Sequence, residues 1–526
     1  MKSIVAGFAL MFGLFFACDG QQQGGLGLDL RFAQLEQAQT AEAGLPVDVL
    51  SIQVEVLDWY DGSVLTDSGC LDVAGDEESR AGLQIDLVPN VVKVRVRGYG
   101  DSACASSPEW SGASARIVMA EGEENIVPIY VTRRGLSLNP IRSFLPHGRA
   151  FATATPLVDG RILVAGGFSE VEQGGAREPA VLKAACDAWI YDPGLADFTS
   201  LAIPLVNCRG LHRALAMEDG SVWLIGGATQ ADLDTTGGTR PILRPSMDNL
   251  VGSVERYDPQ TGRFELLKQE VSLARAQMAL GPDGINGSLL FGGRSNQLRS
   301  RDILSLSWVG GELLVGMLDE QLSVARAGAE SVTLGDAFLV FGGQVPGESP
   351  VEMIDALSRE AVPVDLGELS DLQDWSLTGH ALSKRDDSGA MRVLLTGGMP
   401  SAPASVASNV SMWIEYDGQG GFDFVATQMD SARAYHAAVY VNTPESDGLS
   451  GWVLAGGLGV VGMGRKDMEM HDVSGVVRSL DGELATGSLG ICHASLPDGS
   501  ILLLGGLDVD ANAVVSLVLE AQILAP

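Results

Sequence analysis

The chain has 526 residues, 34 of them basic and 67 acidic, so its formal charge is -33 at pH 7. An acidic balance of this size repels nucleic acid and anionic lipid headgroups, so we expect neither as a partner. We interpret the charge as the solvated surface of an exported protein, with binding of calcium or of a basic partner as the alternative.

Residues 1–17 have the features of a secretory signal peptide. Lys2 precedes an apolar stretch from Ile4 to Phe16, and Ala17 and Cys18 follow. A short apolar stretch after a basic start is typical of such signals. Phe15-Phe16-Ala17-Cys18 also resembles a bacterial lipobox, which implies that Cys18 becomes the lipid-modified first residue of an envelope lipoprotein. Simple cleaved secretion and an uncleaved anchor are the alternatives.

Residues 18–27 then read as a flexible tether, because Gln21-Gln-Gln-Gly-Gly lacks apolar side chains. No other apolar run approaches the roughly 18 residues that span a bilayer, so we expect the lipid to be the only membrane attachment. Asp19 directly follows the cysteine, a position that favours inner-membrane retention in enterobacterial lipoproteins. The periplasmic face and the cell surface both stay open as locations in the bacterial cell envelope.

Residues 28–134 predict a separate small β-sandwich. Val49–Leu57, Leu83–Leu87, Val91–Arg97 and Ile126–Val131 alternate apolar with polar residues, which is typical of half-buried strands. Bacterial surface lipoproteins often carry an immunoglobulin-like or transthyretin-like module next to the anchor, and this segment is similar to them in architecture alone.

Seven glycine doublets organise the remainder, residues 135–526. Each closes a short run of branched apolar residues, which predicts a central strand followed by glycines with positive φ. Subtracting successive first glycines gives gaps of 60, 66, 50, 55, 59 and 49 residues, the spacing of four-stranded propeller blades. The doublets are Gly166-Gly167, Gly226-Gly227, Gly292-Gly293, Gly342-Gly343, Gly397-Gly398, Gly456-Gly457 and Gly505-Gly506.

Other features recur around the doublets. An Arg or His and small residues lie upstream and predict the inner strand, while Tyr191-Asp-Pro and Tyr257-Asp-Pro lie downstream at a predicted turn. With these motifs the chain resembles a kelch-repeat protein over residues 136–526. The resemblance implies an all-β fold, a seven-bladed kelch β-propeller preceded by the small sandwich.

Closure of the ring can also be predicted. The last repeat is expected to place its third strand at Val514–Leu517 and to reach Pro526 without a fourth strand. Leu136–Leu145, just before the first inner strand, can supply that fourth strand and cover the open edges of the first and last blades.

The cysteines predict two disulfides. With Cys18 lipidated, an oxidising compartment permits Cys70 to pair with Cys104, and Cys186 with Cys208. The second pair follows from blade geometry, because both residues lie on connections at the same face of neighbouring blades. Unbridged thiols are the alternative, and Cys492 is expected to be a buried free thiol.

The histidines are the obvious candidates for catalysis or metal binding, but four of them recur at one repeat position. His212, His380, His436 and His493 are expected in the slot that Arg149, Arg275 and Arg326 fill elsewhere. Recurrence favours a structural hydrogen bond between blades. The histidines do not cluster as zinc ligands would.

Two local motifs are interpreted as loops. Gly457-Leu-Gly459-Val-Val-Gly462 has dinucleotide-binding spacing but follows a blade doublet and has no predicted helix. Asp508-Val-Asp510-Ala-Asn512 begins like a calcium loop but lacks the glycine at position six and the distal glutamate.

Function is predicted only as a class. The first hypothesis is a binding or scaffold lipoprotein that recognises a protein or glycan through the long loops 168–186 and 228–251. The second is a carbohydrate-active enzyme resembling galactose oxidase-like copper oxidases or propeller mutarotases. The copper set of two tyrosines, a cysteine and two histidines cannot be assembled from these positions, and mutarotase chemistry needs only an acid and a base in the channel. We assign no catalytic residue, metal or cofactor.

Overall fold

The computed structural model of the protein describes most of the chain. The described residues are 10–14, 25–33, 46, 48–73, 91–119, 124–141, 145–175, 178–234, 242–284, 287–295, 298–334, 337–344, 347–365, 381–387, 390–399, 407–417, 421–441, 450–460 and 462–526. Cys18, His380 and the predicted strand Leu83–Leu87 lie outside them.

The described residues form an all-β fold of 43 strands with two short 3₁₀ turns, Met247–Asn249 and Val271–Leu273. The first nine strands are β1 (Leu10–Leu14), β2 (Gly25–Phe32), β3 (Ser51–Asp58), β4 (Val64–Asp72), β5 (Val91–Tyr99), β6 (Trp110–Ala113), β7 (Ile117–Val118), β8 (Glu124–Arg133) and β9 (Ser137–Pro140). Strands of the first two doublet repeats are β10 (Thr153–Pro156), β11 (Ile162–Ala165), β12 (Phe168–Glu172), β13 (Ala180–Ala184), β14 (Ala188–Asp192), β15 (Asp197–Ser200), β16 (Arg213–Ala216), β17 (Val222–Ile225), β18 (Gln230–Asp234), β19 (Ile242–Pro245), β20 (Ser253–Asp258) and β21 (Arg263–Gln269).

The later repeats supply β22 (Ala279–Pro282), β23 (Gly287–Phe291), β24 (Arg294–Ser295), β25 (Leu298–Val309), β26 (Glu312–Arg326), β27 (Glu330–Leu334), β28 (Ala337–Phe341), β29 (Val351–Asp355), β30 (Ala361–Pro363), β31 (Ala381–Asp387), β32 (Ala390–Thr396), β33 (Ser408–Tyr416) and β34 (Phe422–Arg433). The last strands are β35 (Ala437–Val441), β36 (Gly451–Ala455), β37 (Asp467–Asp472), β38 (Val477–Glu483), β39 (Cys492–Ser495), β40 (Ile501–Leu504), β41 (Leu507–Val509), β42 (Val515–Leu517) and β43 (Ala521–Ala525).

Strands β1 to β8 form the N-terminal sheet. Their hydrogen-bonded order is β1-β2-β8-β6-β5-β3-β4, with β7 beside β5. β8 pairs with β2 over most of its length and with β6 only at its end, so β8 joins the strands β1-β2 to the strands β6-β5-β3-β4. Their alternating apolar residues, among them Leu30, Val54, Val94 and Ile129, pack into one buried cluster.

Seven small antiparallel sheets, here called repeat sheets 1 to 7, contain the doublets, and in each the second strand ends directly before its doublet. They contain β10-β11-β14-β15, β16-β17-β20-β21, β22-β23-β25-β26, β27-β28-β29-β30, β31-β32-β33-β34, β35-β36-β37-β38 and β39-β40-β43-β9 in order. In repeat sheets 1, 2 and 7 the second strands consist entirely of buried apolar residues, which explains why their sequences lack polar alternation.

Repeat sheet 7 combines the two ends of this region. β9 lies just before the first doublet repeat, yet it pairs antiparallel with β43 at the end of the chain. The fourth strand therefore comes from the segment Leu136–Leu145, as expected from the sequence. The predicted third strand was wrong: β42, within Val514–Leu517, pairs with β41 in a separate hairpin, and β43 takes the third position. Ile523 and Leu524 are buried where Ser516 is exposed, so β43 contributes the larger apolar surface.

The N-terminal sheet packs directly on repeat sheets 1 and 7. Side chains of all three share one buried cluster. The Lys93 ammonium donates to the Pro497 carbonyl at 3.2 Å, and the Arg116 amide donates to the Asp159 carbonyl at 2.8 Å. These acceptors lie in turns between first and second strands, so the N-terminal sheet contacts the turn side of the repeat sheets.

Candidate functional site

One arginine position ties the repeat sheets together. In five of the described sheets, an arginine before the first strand donates from Nη1 to the carbonyl of the first doublet glycine of its own sheet, at 2.7 to 2.9 Å. In repeat sheet 7 the Ser488 hydroxyl makes the equivalent bond to Gly505 at 2.7 Å. The five pairs are Arg149 with Gly166, Arg209 with Gly226, Arg275 with Gly292, Arg326 with Gly342 and Arg433 with Gly456.

The backbone of the same position binds the preceding sheet. The carbonyl of Arg209 accepts the N–H of Gly167 at 2.8 Å, and similar bonds link the other described neighbours. The Arg149 carbonyl accepts from Gly506 at 2.6 Å, so repeat sheet 7 is joined to repeat sheet 1 in the same way. All fourteen doublet glycines have positive φ, and a Cβ on Gly505 would collide with the Arg149 carbonyl. Only glycine allows this close approach.

A third-strand carboxylate completes the arrangement. Arg209 pairs with Glu255 and Arg326 with Glu352, and all four side chains are fully buried. Burial lowers the pKa of Arg209, and the Glu255 carboxylate opposes that shift. Arg149 is also buried, but its partner Asp187, 2.8 Å away, keeps 40% of its side-chain surface exposed. The pairs therefore differ in how completely water is excluded.

This geometry corrects the assignment of the histidines. Arg209 and Arg433 occupy the predicted basic slot in repeat sheets 2 and 6, and His212 and His436 lie three residues further along. The slot needs the several donors of a guanidinium to reach the doublet carbonyl and the carboxylate together, which an imidazole cannot supply. In repeat sheet 7 the slot holds Ser488, and His493 is on the inner strand β39.

The predicted inter-sheet bonding of histidines is nevertheless present. His212 Nε2 lies 3.0 Å from the Thr153 hydroxyl of repeat sheet 1. His436 Nε2 lies 2.7 Å from the Thr396 hydroxyl of repeat sheet 5. Burial lowers the pKa of His212 well below its usual value, so this ring is neutral at pH 7. Of the other histidines, His471 is buried beside Glu469 and His147 is exposed.

Two residues beyond each arginine, the chain turns into the left-handed region. Phe151, Leu211, Gln277 and Tyr435 have φ between 53° and 57°. Left-handed conformations are costly for side chains other than glycine, and they concentrate at functional sites. Glycine takes the equivalent position in repeat sheets 4 and 7, at Gly328 and Gly490.

These six left-handed residues form a line of backbone hydrogen bonds around a cavity. The N–H of each residue after the first donates to the carbonyl of its counterpart in the preceding sheet, which gives five bonds of 2.8 to 3.4 Å. The order of the line is Tyr435, Gly490, Phe151, Leu211, Gln277 and Gly328, which passes from repeat sheets 6 and 7 into repeat sheets 1 to 4.

The cavity that they surround has a volume of about 410 Å³, within the range of small-molecule sites. Its wall contains the inner strands and mixes polar groups with aromatic rings. Arg213 from repeat sheet 2 donates to Glu330 of repeat sheet 4 at 2.6 Å, and to the Met278 and Ala329 carbonyls at 2.7 and 3.1 Å. His493 faces the cavity and keeps contact with solvent there, while the surrounding protein lowers its pKa.

The two long loops cover one end of the cavity as a sheet of their own. β12 and β13 from loop 168–186 pair with β18 and β19 from loop 228–251 in the order β12-β13-β18-β19, here called the insert sheet. Leu182 and Leu233 of the insert sheet pack into one cluster with Tyr435, and Phe151 and Leu211 pack against that cluster. Its opposite face exposes charged side chains. The predicted loops are thus ordered strands with one buried and one exposed face.

Both predicted cysteine pairs and the predicted buried free thiol Cys492 are present in the structure. Cys70 with Cys104 and Cys186 with Cys208 are at disulfide distance, with Cα atoms 5.7 and 4.0 Å apart. Cys492 is buried at the cavity wall, donates to the Ala152 carbonyl at 3.2 Å and has its pKa raised to about 12 by burial. A thiol with this pKa is a poor nucleophile at neutral pH.

The remaining motifs have local roles. The glycines around Gly459 form a turn that is followed by β37 and not by a helix. Asp510 accepts the N–H groups of Asn512 and Val514 within a turn. Within the described ranges, no group of three or more His, Cys, Asp or Glu side chains is placed to hold a metal ion. No helix in that part of the chain is long and apolar enough to cross a membrane.

The sequence matches no model of a known protein family, and no curated protein matches it.

Sequence reasoning missed the cavity residues Arg213 and Glu330. They lie four residues after Arg209 and Arg326, so counting from the repeated arginine was a signal that could have located them. The pairing of Arg213 with Glu330 across repeat sheets could not be predicted, because nothing in the sequence marks two side chains on different strands as partners.

Proposed function

We propose that the protein is a lipid-anchored, exported kelch-type propeller that binds a protein or glycan partner through the insert sheet. In this proposal repeat sheets 1 to 7 are the seven blades, over residues 135–526, and residues 28–134 are a separate domain next to the anchor at Cys18. Cleavage before Cys18 removes β1 from the N-terminal sheet. The bonds from repeat sheet 7 to repeat sheet 1 support a closed ring. Two disulfides fit an oxidising compartment.

The insert sheet is the observation that carries the binding role. Repeated architecture needs only short connections, yet two neighbouring repeats each provide a hairpin, and the hairpins pair through β13 and β18. Irregular additions on a rigid repeated scaffold are where binding surfaces are expected. The exposed face carries Glu172, Lys183, Asp232 and Arg244, whose mixed charges suit a polar protein or glycan surface.

Charge reversal on this face tests the proposal. We expect the triple variant Lys183→Glu, Asp232→Arg, Arg244→Glu to lose the partner that wild-type protein captures from its native envelope. The matched control is Arg263→Glu with Glu265→Arg, two exposed residues of β21 on the outer edge of repeat sheet 2. Equal capture by both variants would contradict binding through the insert sheet. Equal melting temperatures would show that both remain folded.

The anchor has its own test. We expect wild-type protein expressed with its natural N-terminus to partition into detergent and to incorporate labelled palmitate, and Cys18→Ser to do neither. A wild-type protein that stays in the aqueous phase would contradict the lipid anchor and leave the binding experiment unaffected.

A further inference from the structure

We propose that the cavity beneath the insert sheet binds a small, uncharged, polyhydroxylated ring compound. This is a second site, separate from the exposed face of the insert sheet. Charge balance, hydrogen-bonding groups, apolar surface and backbone strain at the cavity wall each point to it.

Among the described residues at the wall, the two side chains that are charged at neutral pH, Arg213 and Glu330, balance each other. Arg213 and Glu330 are 2.6 Å apart and both line the cavity. An anionic ligand at this pair would face the Glu330 carboxylate, and a cationic ligand would face the Arg213 guanidinium, so neither charge is favoured. A neutral ligand meets no such penalty.

The same pair offers both kinds of hydrogen-bonding partner. The described bonds of Arg213 use Nε and Nη2, and they fix the guanidinium against the Met278 and Ala329 carbonyls. Its Nη1 takes no part in those bonds, and Glu330 adds carboxylate oxygens as acceptors. Adjacent hydroxyl groups donate and accept together, which matches a fixed donor beside a fixed acceptor.

Neutral groups on other strands extend this pattern. His493, from repeat sheet 7, is neutral at pH 7, so one ring nitrogen donates and the other accepts. The Gln277 amide, from repeat sheet 3, also combines a donor and an acceptor at the wall. The cavity therefore presents paired donors and acceptors from several directions.

An apolar surface lies at the covered end. The rings of Phe151 and Tyr435 meet edge to face with centroids 5.9 Å apart, and both line the cavity. Leu243 of the insert sheet adds to this end. A ring with carbon-bound hydrogens on its faces and hydroxyls on its rim can pack against this apolar end and form hydrogen bonds with the polar groups of the wall. The left-handed Phe151, Gln277 and Tyr435 hold these side chains in place at a cost in backbone strain, as expected at a binding site.

The test uses a panel of small probes and saturation-transfer NMR on the purified full chain. The probes are methyl glucoside, methyl galactoside and N-acetylglucosamine, with glucuronate and glucosamine as charged analogues of the same ring. We expect at least one neutral probe to bind, and the charged analogues to bind about tenfold more weakly, a difference of about 1.4 kcal/mol. Absence of binding by every neutral probe would overturn the proposal.

A single substitution then tests the charge argument. In Glu330→Gln the Arg213 charge loses its partner, so we expect preference to shift about tenfold from the neutral ring toward glucuronate. The matched control is Glu360→Gln at an exposed position, which should leave the preference unchanged. An unchanged preference in folded Glu330→Gln would contradict the role of the pair.

His493→Ala keeps the proposal testable if Glu330→Gln fails to fold. His493 is exposed to the cavity, and its removal should weaken the neutral probe about tenfold without lowering the melting temperature. Unchanged affinity would count against the cavity as the site. Charge reversal on the insert sheet should not affect binding of the small probes. Failure of this site and failure of the proposed partner-binding face are therefore distinguishable.

Discussion

Two positions on the same short segment behave in opposite ways. The first is the repeated arginine position, whose side chain and backbone bind doublet glycines of its own and the preceding sheet. The second lies four residues later and varies among Thr153, Arg213, Glu330 and Cys492 in repeat sheets 1, 2, 4 and 7. Each of these four lines the cavity. The arginine position before the first strand of a repeat sheet is therefore constrained, whereas the residue four positions later varies between repeats.

The difference follows from what each position must contact. The arginine faces carbonyls of the main chain, which are present in every repeat whatever the side chains. The cavity position makes different contacts in different repeats. Arg213 donates to the Met278 and Ala329 carbonyls, whereas Cys492 donates to the Ala152 carbonyl, so no single backbone contact recurs there. Residues that differ between repeats at this position are where specificity can reside.

The largest effect is expected when the repeated arginine is replaced. Arg209→Met leaves Glu255 buried without its cation and should lower the free energy of unfolding by about 3–5 kcal/mol. Arg149→Met should cost less, because its partner Asp187 is 40% exposed and can be solvated. Denaturant unfolding measures both, with exposed Arg263→Met as control. A loss for Arg149→Met as large as for Arg209→Met would contradict the role of water exclusion.

The disulfide beside that position comes next. Cys186 precedes Asp187 and Cys208 precedes Arg209, so the bond links the segments that hold two neighbouring arginines. Cys186→Ser with Cys208→Ser should destabilise the protein by about 3 kcal/mol, the chain-entropy value for a 22-residue separation. Thermal unfolding with and without reductant measures it. Wild-type protein whose melting temperature is insensitive to reductant would count against a stabilising bond.

A smaller effect tests the close approach at a doublet. Gly505→Ala should cost about 2–3 kcal/mol, from positive φ together with collision against the Arg149 carbonyl. Gly499→Ala in the same sheet also has positive φ, but a Cβ there has nothing within 4 Å, so it isolates the backbone cost. Denaturant unfolding compares the two. Equal losses would show that the approach of neighbouring sheets adds nothing to the requirement for glycine.

The smallest effect concerns pH. The folded pKa of His212 lies below its unfolded value near 6.5, so the unfolded state binds a proton first and stability falls as pH drops below 6.5. Proton uptake by one histidine of the unfolded chain lowers the free energy of unfolding by about 1 kcal/mol between pH 6.5 and 5.5. His212→Gln should remove that part of the loss of stability. Exposed His147→Gln should follow wild type in the same unfolding series. Identical pH slopes for His212→Gln and wild type would contradict a neutral buried ring.

The same contrast explains what the sequence could predict. The second strands could be predicted because the glycine doublets that follow them recur at intervals. β9 could be predicted because the last repeat lacks a fourth strand of its own. The carboxylate partners could not be predicted, since Asp187 follows its arginine by 38 residues and Glu255 by 46. A contact between strands at variable spacing leaves no periodic signal.

The sequence also did not predict the insert sheet or the third strand of repeat sheet 7. Sequence length alone marked loops 168–186 and 228–251, whereas the pairing of β13 with β18 joins two hairpins from different repeats. Val514–Leu517 looked like a strand and is one, but its partner is β41, a choice made by tertiary packing.

Pairing of β9 with β43 also sets the order in which the molecule can be completed. Asn139 and Ile523 are 384 positions apart in sequence, so repeat sheet 7 cannot form until β43 is available. Contacts of such long sequence separation are slow to form, and an unpaired strand edge is prone to aggregation meanwhile. The Asn139 side chain bonds the backbone of Arg133 on both sides, at 2.8 and 2.9 Å, which holds the waiting strand against the N-terminal sheet. Repeat sheet 7 is therefore completed by β43, and the N-terminal sheet holds β9, the strand with which β43 pairs.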